Sequence, residues 1–318
     1  MLAQLGILAL ATVLLIVAND AFVRGVTGLF LCSGARTYGV ALGATVLGAV
    51  LPALAVALAA AFALQPELAL GSLIGGGIAH LALILGLAAL ASPLLIRLRL
   101  FRIAHPALLL GIGLLWALGA DGGLGPLDGA ILIAAWLVVM AVAVIAARRE
   151  DAAVRNELAA ATGTSMLVWR DSLRVVVGVV MLPFAAVWLV RSTAALADGW
   201  GLAPVVAGLL PLGIATALAG LPPALIAARR GQGDFVLAHA FAAALCVLLL
   251  VGVLAVWAPL PVARSLQRVE LPVLFALAFA LYPMMRSDGE LSAREGGLLV
   301  ALFALFMLGE TFLIGAWT

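Results

Sequence analysis

The chain of 318 residues is 66% hydrophobic and 10% charged, with a mean hydropathy of +1.28, so no soluble fold of this length has enough polar surface to cover it. The formal net charge of +2 and the lack of basic runs interleaved with aromatics argue against nucleic acid as a partner. All seventeen basic residues are Arg, which excludes a Gly-Lys-Ser/Thr phosphate loop and a Schiff-base enzyme.

A helix crosses the bilayer core with roughly 20 apolar residues, and uncharged stretches of that length recur from end to end. Charges, Gly and Pro predict helices near 5–26, 38–64, 68–95, 105–120, 127–147, 173–197, 203–228, 234–258, 270–285 and 296–316. The first is too long for a signal-peptide core and has no basic head or small-residue cleavage site, so it reads as retained. Cys32 and Cys246 lie in or beside apolar segments and read as small buried residues, not as a disulfide or a metal knuckle. The interval from Arg148 to Arg174 is rich in both charges and divides the helices five and five. The expected organisation is a first membrane repeat over 1–147, a charged cytoplasmic linker over 148–172 and a second repeat over 173–318.

Alternating the sides of these helices puts fourteen Arg on one face and only Arg191, Arg264 and Arg268 on the other. The rich face is then cytoplasmic, which places both termini in the periplasm of a bacterial inner membrane. Trp116, Trp200, Trp257 and Trp317 fall near the outer helix ends, where indoles favour the interface. Pro52, Pro211, Pro222 and Pro223 are expected to kink or break the second and seventh helices.

A shift of 167 residues lays Val23-Arg24 on Val190-Arg191, Gly34 on Gly201, Leu51 on Leu218 and Glu67 on Asp234 without a gap. Both acids open a helix, where the positive dipole end favours them. Five helices per copy is an odd number, so the second copy enters the membrane upside down. The fold class expected is therefore all-α, about ten transmembrane helices in two inverted five-helix repeats, a plan that places sites near the midplane where the halves meet.

Several segments carry a family resemblance: PELALGSLIGGGIAHLALILGLAALASPL from Pro66, RRGQGDFVLAH from Arg229, DAFVRG from Asp20, WLVRSTAALADGWGLAPVVAG from Trp188, and the spaced pairs Asp121-Gly122 and Asp128-Gly129. Together they resemble the cation/Ca2+ exchanger superfamily over most of the chain. The resemblance implies Gly-Thr-Ser-Leu-Pro-Glu followed by Gly-Ser-Asn and a further Asn in each repeat, with the two Glu coordinating the cation. Here the first motif reads Gly48-Ala49-Val50-Leu51-Pro52-Ala53, so Ala53 stands in the Glu position, and Gly75-Gly76-Gly77 and His80 replace the amides. In the second repeat Gly220 stands in the Glu position, and Ala242-Ala243-Ala244 and Val247 replace the amides. The implied ligand positions are thus Ala53, Gly77, His80, Gly220, Ala244 and Val247, none of them acidic. Ca2+ takes six to eight hard oxygens, and two charges at mid-membrane without a carboxylate are prohibitively costly. Ca2+ exchange through the family's site is therefore expected to be lost. No resident metal or cofactor is expected.

Candidate transport-path residues are Glu310, His80, Thr45, Ser72 and Thr216. Glu310 is the one acid well inside an apolar segment; it reads either as a proton carrier or as a residue about 12 Å from the C-terminus that reaches interfacial water. His80, about 18 Å into its helix, reads as a neutral donor or proton switch, or else as a helix-packing hydrogen bond. His239, one turn into its helix, reads as a cap or interface residue. The three hydroxyls are pocket lining at most, bonded back to their own backbone. Gly39/Gly43 and Gly71/Gly75 have the spacing for close helix packing. Asp20 and Arg24, four apart, read as a salt pair with no transport role.

Two functions compete: a secondary transporter with altered cargo, proton-coupled through Glu310 or His80, and a non-transporting membrane partner or assembly protein on a decayed transporter fold. An intramembrane enzyme is not expected, because neither His-Glu-x-x-His nor Gly-x-Ser-x-Gly occurs. The expected surroundings are the lipid bilayer, a small ion or solute and possible membrane-protein contacts.

Overall fold

A computed structural model describes residues 2–33, 37–96, 101–147 and 167–317, excepting the side chains of 37–42, 45, 102–103, 146–147, 286–288 and 312–317. Most of the charged interval assigned to the linker, and Thr45 as a side chain, lie outside the described residues.

Ten helices are seen among the described residues: α1 Leu2–Cys32, α2 Thr37–Phe62, α3 Pro66–Ala91, α4 Phe101–Leu118, α5 Pro126–Ala147, α6 Val168–Trp200, α7 in two pieces (Pro204–Leu218 and Leu221–Arg229), α8 Gly233–Trp257, α9 Leu271–Asp288 and α10 Ala293–Trp317. Seven are long and apolar enough to cross a bilayer, and the two pieces of α7, bent by 48°, make an eighth. Large apolar side chains stand exposed along α1, α5, α6 and α10, a surface that only lipid can cover. α3 and α8 are the most enclosed helices and form the centre.

The two repeats appear in the backbone itself. α2 and α7 start at 37 and 204, α3 and α8 at 66 and 233, α5 and α10 at 126 and 293, each pair 167 positions apart. Gly122 and Gly289, at the same offset, both adopt positive φ (94° and 68°), which a residue without Cβ does at little cost. At the next helix start Asp128 accepts the Gly125 N–H at 2.8 Å and Glu295 accepts the Ser292 N–H at 2.8 Å, the same cap in each repeat. Two short antiparallel ribbons tie one half to the other: β1 Leu94–Leu95 pairs with β4 Glu290–Leu291, and β2 Gly123–Leu124 with β3 Leu260–Pro261.

Small residues set the close approaches. A methyl added at Gly71 or Gly75 of α3 would land on the backbone of Val205 or Leu209 in α7, and one at Gly208 or Gly213 on the backbone of α3. The Gly71/Gly75 spacing thus packs as expected, whereas Gly43 has open space beside it and Gly39 lies outside the described side chains. Similar glycines join α5 to α8 (Gly129 on Gly252) and α10 to α3 (Gly296 on Gly86).

Two further expectations change, and a third, that prolines kink or break helices, is met by the 48° bend in α7. Cys32 is exposed at the end of α1 instead of buried, while Cys246 is buried; both are free thiols. α6 begins five residues earlier than hydropathy suggests, because Asp171 is buried against Gly25 and Gly28 of α1 and partnered by Arg174 at 2.9 Å. α7 breaks at Ala219-Gly220 ahead of Pro222-Pro223, and α2 continues as helix through Pro52.

Gly75→Val is expected to destabilise the protein by about 1–3 kcal/mol or more, since overpacking meets rigid backbone. Gly309→Val, with nothing within 4 Å, is expected to be neutral within about 0.5 kcal/mol. Unfolding in detergent measures both, and equal effects would contradict the packing described.

Candidate functional site

The halves meet where α2, α3, α7 and α8 converge. α3 passes into a π-turn at His80–Ile84 and α7 into another at Gly208–Leu212. In α7 the cause is Pro211, which has no N–H to give the regular ladder.

His80 is 2% exposed, and its Nδ1 lies 2.8 Å from the Gly76 carbonyl oxygen. A carbonyl only accepts, so Nδ1 carries the proton and Nε2 presents its lone pair. That Nε2 is buried with no hydrogen-bond partner. The ring faces His239 of α8, centroid to centroid 5.7 Å.

His239 is the residue whose place differs most from expectation. It is no cap or interface side chain but 2% exposed at the centre, parallel to the Phe235 ring (centroids 6.3 Å, 9°). Its imidazole occupies the space that a Cβ on Gly220 would enter, and its Cε1 lies 3.8 Å from a Cβ built on Gly48. The position that the family resemblance assigns to the second Glu is therefore filled from α8.

Thr216 and Ser72 are both 1% exposed and both bond back to their own helices, Thr216 to Gly213 O and Ser72 to Ala69 O, each at 2.8 Å. Thr216 Oγ1 lies 2.9 Å from a Cβ built on Gly76, which puts it at the α3–α7 seam. Val247 packs against Gly77 in the same layer. Ala53 is partly buried and apolar, and Ala244 fully buried.

Glu310 belongs to a different cluster. It is 5% exposed, and its charge reaches Glu270, which closes a π-turn at Leu266–Glu270 and is completely buried. Both Glu270 oxygens are buried, with the Ser265 hydroxyl as the side-chain donor beside them. α10 packs chiefly on the second half of α3, on the ribbon-bearing flank of the bundle. Among the described residues no three His, Cys, Asp or Glu gather as metal ligands. In the sequence Asp171 reads as an acid of the charged linker and Glu270 as the edge of an apolar run, where a solvated side chain is the ordinary reading.

A cavity of about 220 Å³ opens between α1, α2, α7 and α8 on the side of Arg24 and Arg230, and reaches Asn19, Gly48 and His239. Asp20 and Arg24 form the expected salt pair at its wall, 2.7 Å apart. A second cavity, on the side of Glu67 and Asp198, has a lining that stops at Leu68, one turn before Ser72. Of these two cavities, the first reaches His239 and the second stops short of it.

If His239 fills the volume beside Gly220, Gly220→Ala forces the two together at a cost of about 1–3 kcal/mol. His239→Ser, which installs the residue type found at the equivalent position 72, is expected to relieve that cost in the double variant. A thermal-unfolding cycle in detergent reads the coupling; additive effects would mean the imidazole does not occupy that space.

Comparison with known proteins agrees with this architecture. The model of the sodium/calcium exchanger protein family matches residues 3–145 and 172–312. Inner membrane protein YrbG of Escherichia coli (strain K12) is 28% identical over 323 residues, spanning 94% of this chain and 98% of that protein. The putative antiporter CaxA of Alkalimonas amylolytica is 24% identical over 297 residues, spanning 92% and 93%. Among solved structures, the sodium-calcium exchanger NCX_Mj soaked with 2.5 mM Na+ and 10 mM Sr2+ superposes with a TM-score of 0.69 at 20% identity, over 96% of this chain and 98% of that one. Both repeats are matched by one family and the whole length by one fold: this chain is a multi-pass membrane protein of the sodium/calcium exchanger family.

Proposed function

We propose that the protein is a secondary transporter that keeps the exchanger frame but does not carry Ca2+ by the carboxylate mechanism, and that it couples transport to protons through His80, with Glu310 as a second proton-carrying candidate. The observation behind this reading is the His80–His239 pair: imidazoles and glycines stand where the family resemblance calls for carboxylates and amides. Neutral nitrogen is a poor ligand for a hard divalent ion but a good base for a proton. The free lone pair on His80 Nε2 supports the same assignment. Alternating access between the two cavities, one reaching the centre and one stopping short, is the motion such a transporter needs. CaxA, a relative described as a putative antiporter, favours exchange over a channel-like leak.

In this reading residues 1–147 and 173–318 are the two repeats and 148–172 the cytoplasmic connection. The Arg-rich face with the deeper cavity is inward in a bacterial inner membrane, and both termini are periplasmic.

Purified protein in proteoliposomes with a lumenal pH dye tests the proposal. A panel of inorganic and organic cation chlorides is expected to elicit proton movement with at least one member, lowered at least tenfold by His80→Ala. A Na+ gradient is expected to drive no saturable Ca2+ uptake, and such uptake would overturn the loss of Ca2+ exchange. Absence of any flux, with another membrane protein co-purifying in fixed ratio, would favour an assembly role instead.

A further inference from the structure

We infer that the cavity on the Arg24 and Arg230 side is a binding site for a small monovalent cation bearing N–H donors, of the ammonium or guanidinium class. The inference rests on the transporter reading only in taking this ion to be cargo; the binding site itself stands on the cavity. Asn19, 3% exposed, lines it and spends its amide N–H on the Gly48 carbonyl at 3.0 Å. That bond fixes the orientation of the amide, so the half left over is Oδ1, buried and without a hydrogen-bond partner. A buried acceptor without a donor is costly and calls for a ligand that donates. Behind His239 the lone pair of His80 Nε2 is a second acceptor in the same condition.

The remaining walls favour positive charge of low density. Phe235 and His239 both line the cavity, and Phe235 is of the ring type whose π-face attracts cations. The charged groups at the wall and mouth are the Asp20–Arg24 pair, neutral as a unit, and Arg230, which is exposed and screened by water. No carboxylate lies at the floor, so a divalent ion has no charge partner there, and imidazole is a poor ligand for hard alkali ions. An anion would face the Asn19 oxygen, which repels it. The volume of about 220 Å³ is below the roughly 300 Å³ of drug-sized sites and suits a small ion.

Guanidinium is a suitable probe because it is charged at every accessible pH and does not leak across lipid as a neutral amine. Radiolabelled guanidinium is expected to bind detergent-purified protein at one per chain. Methylammonium is expected to compete, whereas tetramethylammonium, equally charged but without N–H donors, and Ca2+ are not. Asn19→Ala is expected to weaken binding at least tenfold; Asn19→Asp, which keeps the acceptor and loses the bond to Gly48, is expected to retain it. Failure of guanidinium to bind the wild type, equal competition by tetramethylammonium, or unaltered binding by Asn19→Ala in protein that still elutes as a folded species would overturn the site. Counterflow of labelled guanidinium in proteoliposomes, which needs no proton gradient, separates the two ideas. Binding without counterflow keeps the site and removes the transporter reading, whereas counterflow without proton movement keeps both and removes only the coupling.

Discussion

Backbone contact between α3 and α7 is the constraint on which the rest of the molecule depends. Within lipid there is no hydrophobic gain in bringing two apolar helices together, so association relies on close van der Waals packing and on the absence of side chains between the helices. Gly71 and Gly75 on one side, and Gly208 and Gly213 on the other, remove those side chains at four successive levels. The two helices belong to opposite repeats, so this one seam holds the halves at a fixed distance. Gly129 against Gly252 and Gly296 against Gly86 repeat the device further out, fastening α5 and α10 to the central pair.

That closeness determines what the centre can contain. Beside the α3–α7 contact two buried imidazoles lie 5.7 Å apart, centroid to centroid, and their helices, α3 and α8, are the most enclosed among the described residues. Gly220 is where α7 breaks, and without a side chain there the His239 ring has room to turn inward. The unusual features at the centre, two π-turns, a helix break and an unpartnered imidazole nitrogen, are concentrated in the same small region. Departures from regular geometry of this kind gather at sites where backbone and side chains are positioned for a ligand.

The two-fold relation between repeats is kept in some places and abandoned in others, and the division follows physical role. Helix starts, the positive-φ glycines Gly122 and Gly289, and the caps made by Asp128 and Glu295 all recur at an offset of 167. These features satisfy backbone groups that lipid cannot, so both copies need them. At the centre the pairs are unlike: His239 with Ser72, His80 with Val247, Thr216 with Ala49. Side chains at the centre satisfy no backbone group shared by the two repeats, so nothing requires these pairs to match.

Length, hydropathy and charge alone determined the number of helices, most of their starts to within three residues, the repeat and its inversion, because each depends on local properties: apolar runs long enough to span, and charges that must remain in water. The Asp20–Arg24 pair and the back-bonded Ser72 and Thr216 were legible for the same reason, since their partners lie within one turn. Only the tertiary structure decided which face of each helix looks inward. In a soluble protein the polar face reveals this, but α3 and α8 are apolar all round, and a bundle interior is no more apolar than lipid. Hence His239 reads as a helix-end residue until α7 is seen to break beside it, and Glu310 reads as isolated until Glu270 is found within reach of its charge. Contacts made between different helices leave no trace in either helix alone.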